Sequence, residues 1–200
     1  YKDDKLVFTR TTSSTCSERN TSGVKTASFI RELKDGDYPI LIGSRQLKKA
    51  QATAAELNER LGQEIVIGLE NADAARQADI SVLTVVQSAH QAALESLKEA
   101  LQGKILVDAT ARIDFRDPHP PQPPSAARIA QDILGAGVRV VAAFQNVPAH
   151  ALKKKVGETL DMDVLVCAQD LDAAQAVMKL AEAGGMRAYY AGGLENALVV

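Results

Sequence analysis

Four side chains that can bind an anion follow one short apolar run, the isoleucine and leucine residues at 40–42. Such a run, bounded by proline and glycine, is typical of a strand buried on both faces of a parallel sheet. Ser44 and Arg45 follow it after a single glycine, and Lys48 and Lys49 lie one helical turn further on. Because arginine offers a bidentate fork and lysine a point charge, the group suits a phosphate monoester.

The position of these residues between a strand and a helix predicts which phosphate they bind. In a dinucleotide-binding unit, the tip of the second strand meets the adenosine ribose. An acidic side chain there favours a free 2′-hydroxyl, whereas an arginine accommodates a 2′-phosphate. No Asp or Glu stands at this tip, so the residues predict NADP. The alternative is that Ser44 only caps the helix that follows and that Arg45 is solvated.

The composition is that of an ordinary globular protein of 200 residues, with 46% hydrophobic and 24% charged residues. A net charge of −2 gives no reason to expect a nucleic-acid or anionic membrane partner. No apolar run approaches the roughly 18 residues of a membrane span, and the charged N-terminus does not resemble a signal peptide. Two distant cysteines and three histidines lack the spacing of a disulfide or metal site. We therefore expect a cytoplasmic protein with reduced thiols, no metal, no membrane partner and no nucleic-acid partner.

Strands alternate with amphipathic helices along the chain, which predicts an α/β, Rossmann-like doubly wound fold. The sheet should be mainly parallel, with helices on both faces. Strands are predicted at 5–8, 40–42, 65–67, 80–86, 104–108, 138–143, 164–167 and 186–190, and helices at 24–33, 47–61, 71–77, 88–101, 125–134, 147–155, 171–183 and 194–200. We expect one NADP-binding domain over residues 1–200, with an atypical N-terminal segment at 1–37 and the start of a truncated C-terminal helical part at 191–200.

Six short segments along the chain carry a family resemblance. They are Ile-Gly-Ser-Arg at 42–45, Glu-Asn-Ala-Asp-Ala-Ala at 70–75, Ala-Asp-Ile-Ser-Val-Leu-Thr-Val at 78–85, Ala-Phe-Gln-Asn-Val-Pro-Ala at 143–149, Asp-Val-Leu-Val-Cys at 163–167 and Ala-Gly-Gly-Leu-Glu-Asn-Ala at 191–197. In this order they resemble the NADPH-dependent reductases of the deazaflavin coenzyme F420, from about residue 38 to residue 200. The resemblance implies hydride transfer between NADP(H) and the deazaflavin. It also implies a possible homodimer through C-terminal helices that would begin near Val200.

The resemblance further implies where the two small-molecule cofactors bind. Ser44, Arg45 and Lys49 match the residue types that hold the 2′-phosphate in the family. The residues implied to bind NADP are Thr11, Ser44, Arg45, Lys49, Val85, Val86, Ala109 and Ala143. Those implied to contact the deazaflavin are Phe144, Gln145, Asn146 and Pro148. No catalytic side chain is expected, because the cofactors carry the reaction while the protein stacks their rings and excludes water.

The sequence departs from the family at the glycine-rich phosphate loop. The family pattern Gly-Gly-Thr-Gly-x-x-Gly falls on residues 9–15, where Thr11 alone matches. β-branched residues avoid positive φ, so this segment cannot easily adopt the same turn. Three interpretations stay open. Hydroxyls and Arg10 bind the pyrophosphate in a new way, pyrophosphate binding is weak or lost, or the N-terminal sequence is altered relative to a functional parent.

Two further functions compete with a deazaflavin reductase. One is a non-catalytic dinucleotide-fold module, and the other is an NADPH-dependent reductase of a flavin, ferric ion or imine. His150 lies near the 143–149 segment and could contact substrate, although a surface position is the stronger expectation. His90 and His119 are assigned to the surface and to a loop, respectively. Cys167 ends an apolar strand and is expected to be a buried small hydrophobe.

Overall fold

The computed structural model of the chain describes residues 6–10, 40–111, 121–147 and 161–198. Its strands are β1 (Leu6–Arg10), β2 (Ile40–Ser44), β3 (Val66–Glu70), β4 (Ile80–Thr84), β5 (Ile105–Asp108), β6 (Arg139–Ala142), β7 (Asp163–Ala168) and β8 (Arg187–Tyr190). Its α-helices are α1 (Leu47–Leu61), α2 (Asn71–Gln77), α3 (Gln87–Leu97), α4 (Ala126–Leu134) and α5 (Leu171–Ala183). A 3-10 helix covers Leu194–Leu198.

The eight strands form one sheet in the order β3-β2-β1-β4-β5-β6-β7-β8. β1 pairs in parallel with both β2 and β4. The chain therefore winds outward to β3 on one side of β1 and then returns across β1 to β4, and it continues outward on the other side. This is a doubly wound, Rossmann-like sheet, which confirms the predicted fold class. Ligands of such sheets bind at the carboxyl ends of the strands, next to the point where the winding reverses.

The last two strands depart from the parallel pattern. β7 runs antiparallel to β6, with Val141 opposite Ala168 and Ala142 opposite Cys167. β8 then runs parallel to β7. As a result, β7 begins beside the carboxyl edge of β6. The apolar run at 164–167 predicted the strand but not its direction, because the pattern reads the same either way.

The central strands are buried on both faces, as their continuous apolar runs predicted. Successive side chains of a strand point to opposite faces. Accordingly, Val82 and Val107 belong to the core cluster that also contains residues of α1 and α5, including Leu57. Leu83 and Leu106 belong to the cluster that contains residues of α3 and α4. Within the described ranges, no helix combines the length and the apolar character needed to cross a membrane.

Several helices and strands begin or end at other residues than predicted. α1, α2 and α5 have the predicted limits, but β3 continues to Glu70 and α3 ends at Leu97 instead of residue 101. The predicted α-helix at 194–200 is a 3-10 helix over Leu194–Leu198. β1 extends to Arg10, so Thr9 and Arg10 pair with β2 and β4 rather than belonging to a loop. The predicted helix at 24–33 lies outside the described residues, as does all but the first residue of the one at 147–155.

Candidate functional site

The residues predicted to hold a phosphate lie where β2 ends and α1 begins. Ser44 is the last residue of β2 and is half-buried, while Arg45, Lys48 and Lys49 are exposed. The N-cap of α1 is Gln46, whose backbone N–H donates to Ser44 Oγ at 3.3 Å. Ser44 therefore supports the turn between strand and helix but does not occupy the cap position, which corrects the alternative that it caps the helix. Its hydroxyl still lies beside the exposed cations.

Positive charge accumulates at the N-terminus of α1. The unpaired N–H groups of the first turn and the helix dipole give this end a partial positive charge. The first turn contains no acidic residue. Lys48 and Lys49 add two full charges at the helix end where cations are unfavourable. An anion bound here would relieve that repulsion, so the arrangement fits a phosphate.

The residues predicted to contact NADP further along the sheet differ in accessibility. Val85 is buried, whereas Val86 is exposed and forms the extended N-cap of α3. Ala109 follows β5, is half-buried, and its N–H donates to the Leu83 carbonyl at 3.1 Å. Ala143 has no exposed surface. Val86 and Ala109 thus offer surface that a ligand can reach without rearrangement, and Ala143 offers none.

The residues predicted to contact the hydride acceptor form a tight turn after β6. Phe144 has a φ of 70°, a left-handed conformation that is rare for an aromatic residue. Gln145 Nε2 donates to the Asp108 carbonyl at 2.8 Å. Asn146 Nδ2 donates to the Asp163 carbonyl, also at 2.8 Å. The turn is therefore hydrogen-bonded to β5 on one side and to β7 on the other.

A buried polar pair lies beside this turn, and the sequence did not predict it. Asp108, the last residue of β5, is fully buried, and His90 is only 5% exposed, which corrects its assignment to the surface. His90 Nε2 lies 2.7 Å from Asp108 Oδ2. A signal was available in the sequence, because His90 precedes the buried Leu94 by four residues and Leu97 by seven, the spacing of one helix face.

Thr110 completes this polar group. Its backbone N–H donates to Asp108 Oδ1 at 2.9 Å. Its own hydroxyl is buried and has no hydrogen-bond partner. A buried hydroxyl without a partner is costly, so this group of residues is an exception to the usual pairing of buried polar atoms.

Other predicted positions give less information. Thr11, Pro148, His119 and His150 lie outside the described residues. In the part of the chain that the structure describes, no group of three or more His, Cys, Asp or Glu side chains could hold a metal ion. Cys167 is buried and unpaired as a thiol, in agreement with its expected role as a small hydrophobe.

Comparison with known sequences identifies close relatives. A family model described as "NADP oxidoreductase coenzyme F420-dependent" matches residues 22–112. The chain is 38% identical over 171 residues to the F420-dependent NADP reductase of Methanothermobacter thermautotrophicus, across 80% of this chain and 73% of that protein. It is also 38% identical over 177 residues to the F420-dependent NADP reductase of Methanocaldococcus jannaschii, across 80% and 76% of the two chains.

Solved structures show the same fold at lower identity. A hypothetical protein from Sinorhizobium meliloti has a TM-score of 0.72 at 21% identity, covering 98% of this chain and 88% of that one. An imine reductase from Bacillus cereus has a TM-score of 0.64 at 16% identity, covering 98% and 57%. A pyrroline-5-carboxylate reductase from Coxiella burnetii has a TM-score of 0.62 at 16% identity, covering 94% and 59%. At these identities the likeness establishes the fold alone.

Proposed function

The chain belongs to the family of coenzyme F420-dependent NADP oxidoreductases, and we propose that it transfers a hydride between NADP(H) and the deazaflavin coenzyme F420. In this reaction a carbon–hydrogen bond of one ring breaks as another forms on the second ring, and the two coenzymes supply that chemistry. The chain's own contribution is to bind both molecules, bring their rings into contact and keep water away.

The charge at the start of α1 is the observation that carries the NADP assignment. Arg45, Lys48 and Lys49 lie around a helix N-terminus whose first turn lacks an acidic residue. An NAD-specific tip would place a carboxylate here to accept the ribose hydroxyl, and that carboxylate would repel a 2′-phosphate. Ser44 adds a hydroxyl at the same point. The four residues together favour a dianionic phosphate over a neutral sugar.

The opposite end of the site suits two stacked rings. Exposed Val86, half-buried Ala109 and half-buried Phe144 follow β4, β5 and β6, and all three offer apolar surface. Apolar groups at this edge would displace water from the reacting carbons. The proposal also includes contacts of Gln145, Asn146 and Pro148 with the acceptor and a contact of Thr11 with NADP. So are a single domain over residues 1–200, a cytoplasmic location and a homodimer.

A binding experiment tests the NADP assignment. NADP⁺ and NAD⁺ are titrated calorimetrically into the wild-type chain, Arg45→Ala, Lys49→Ala and the control Arg60→Ala. Arg60 lies in the last turn of α1 and pairs with Glu56 at 2.7 Å, far from the strand end. Because a charge-assisted bond contributes about 1.5–3 kcal/mol, Arg45→Ala should weaken NADP⁺ roughly 10- to 100-fold and leave NAD⁺ unchanged. Equal losses for both cofactors would contradict the assignment.

The departures at residues 9–15 favour a second candidate, a protein that binds the dinucleotide without catalysis. An acceptor screen separates the two. NADPH oxidation is followed with oxidised coenzyme F420, a flavin, ferric citrate and a cyclic imine as acceptors. Turnover with the deazaflavin supports the proposed reaction, and turnover only with another acceptor replaces it. Binding of NADP⁺ with no turnover under any of these conditions supports the non-catalytic candidate.

A further inference from the structure

Asp108 connects three segments at the carboxyl edge of the sheet. Its Oδ2 lies 2.7 Å from His90 Nε2 on α3, and its Oδ1 accepts the Thr110 N–H at 2.9 Å. Its carbonyl accepts Gln145 Nε2 at 2.8 Å. One residue therefore holds α3, the segment after β5 and the turn after β6.

The hydrogen bonds of Asp108 are costly to break because they are buried. Asp108 is fully buried and His90 is 5% exposed. Within this buried group, the His90 imidazole is the side-chain partner of one Asp108 carboxyl oxygen, and the Thr110 N–H donates to the other. In a low-dielectric interior, a polar pair of this kind is strongly held and costly to separate. The three segments should consequently move little relative to one another.

Each connected segment carries one residue of the proposed ring site. Val86 lies one helical turn before His90, Ala109 stands between Asp108 and Thr110, and Phe144 directly precedes Gln145. We infer that Asp108 and His90 are positioning residues for hydride transfer: they fix the placement of Val86, Ala109 and Phe144, and hence the contact between the two rings, without touching either ring. The inference rests on the proposed function. The placement of these residues is important because a displacement of about 1 Å can slow a positioned reaction roughly 100-fold.

A purely structural role makes a different prediction. A pair that only fills the core would, when removed, lower stability without favouring one end of the ligand over the other. A positioning pair would leave the adenosine end unaffected and impair the nicotinamide end. Asn58 provides the matched control, because it is a buried polar residue that hydrogen-bonds the backbone of Val66, at the far end of α1.

The test compares His90→Phe, His90→Gln, Asp108→Asn and the control Asn58→Leu. Calorimetry gives the affinities of 2′,5′-ADP, which carries only the adenosine end, and of NADP⁺. Stopped-flow single turnover with NADPH and its 4-deuterated form gives the hydride-transfer rate. His90→Phe should keep the 2′,5′-ADP affinity within twofold, weaken NADP⁺ about fivefold and slow hydride transfer roughly 100-fold. Asp108→Asn should slow hydride transfer less than His90→Phe does, because its Oδ1 still accepts from Thr110 and its amide can still hydrogen-bond the imidazole.

The outcomes separate this inference from the proposed function. Asn58→Leu should lower the melting temperature and keep the wild-type ratio of the two affinities. If His90→Phe does not fold, His90→Gln tests the inference in its place. We expect this variant to transfer hydride about tenfold more slowly and to bind 2′,5′-ADP as the wild type does. Wild-type values in the folded His90 variants, or equal losses for both ligands, overturn the inference. If the wild-type chain binds NADP⁺ but transfers no hydride, the proposed function fails, and the ratio of the two affinities decides whether the pair positions the nicotinamide end of the bound cofactor. If it binds neither ligand, both fail.

Discussion

His90 Nε2 and Asp108 Oδ2 lie 2.7 Å apart inside the protein, between α3 and the end of β5. Buried polar side chains are few in the described part of the chain, and they number six: Asn58, Ser81, His90, Asp108, Thr110 and Ser125. Three of these six gather at the carboxyl end of β5. The fold therefore concentrates buried polarity at the edge where ligands of doubly wound sheets bind.

Removal of His90 should cost stability that a second substitution at Asp108 partly restores. His90→Leu leaves the buried Asp108 side chain without its side-chain partner and should lower the free energy of unfolding by roughly 1–3 kcal/mol. The double variant His90→Leu/Asp108→Asn replaces the carboxylate with a neutral amide whose oxygen still accepts from the Thr110 N–H, so it should be more stable than His90→Leu alone. Urea denaturation followed by circular dichroism measures all three chains. A double variant that is less stable than the single one would show that the carboxylate has other compensation.

At position 144, a glycine variant should be more stable than an alanine variant, which is the reverse of the usual order. Phe144 has a φ of 70°, where an L-residue is strained and glycine is not. Phe144→Gly and Phe144→Ala both lose the ring, so the loss of packing is nearly the same in the two variants. Phe144→Gly should be the more stable by about 1 kcal/mol, as judged by thermal and urea denaturation. The opposite order would mean that the turn relaxes to negative φ once the ring is gone.

The sequence predicted what local patterns determine. Continuous apolar runs placed the central strands, and three- and four-residue spacing placed α1, α2 and α5 with their observed limits. It did not predict the partners of Asp108, because His90 lies 18 residues away in sequence and on a different element. A polar residue among apolar neighbours reads as a surface position until the tertiary contact is known. The direction of β7 was not predictable either, because it also depends on tertiary contacts and the apolar pattern is the same in both directions.

The close approach of α1 to the sheet depends on Gly68. A Cβ atom at this position of β3 would overlap the backbone of Ala50 and Gln51 in α1. Since backbone cannot move aside without shifting the helix, Gly68→Ala should cost about 1–3 kcal/mol. It should also displace the helix that carries Lys48 and Lys49, and so weaken NADP⁺ binding. Urea denaturation and calorimetry measure the two effects.

Gly137→Ala is the matched control for that substitution. A Cβ atom there would meet only the end of the Gln102 side chain, which can rotate away. The cost should therefore stay below about 0.5 kcal/mol, with NADP⁺ affinity unchanged. Equal costs for the two glycine variants would contradict the role assigned to Gly68.

The candidate site was predictable to the extent that it follows strand ends. Ser44 ends a buried strand, Arg45, Val86 and Ala109 lie within two residues of a strand end, and the parallel sheet brings those ends to one edge. Side-chain chemistry then favoured a phosphate over a free ribose hydroxyl as the expected ligand at the end of β2. The left-handed backbone of Phe144 was not predictable, because aromatic residues rarely adopt it and no glycine marks the turn.

Cys167 should be protected from alkylation in the folded protein. Burial raises the pKa of its thiol above the ordinary value, and the carboxylate of Glu195 raises it further. Since the thiolate is the reactive form, iodoacetamide at pH 8.5 should label Cys167 far more slowly in the native chain than in 8 M urea. Peptide mass spectrometry distinguishes Cys167 from Cys16. Equal rates in the two states would contradict the protection.

The same shift predicts how stability depends on pH. Above about pH 8.5 the unfolded chain releases the Cys167 proton while the folded chain retains it, so the free energy of unfolding should fall as pH rises. The slope due to one such group is at most about 1.4 kcal/mol per pH unit. Cys167→Ala lacks the thiol and keeps every other titrating group, so its free energy of unfolding should fall less steeply between pH 7 and pH 9.5. Parallel urea titrations of both chains measure the difference. Identical slopes would show that the folded protein ionises Cys167 as readily as the unfolded chain does.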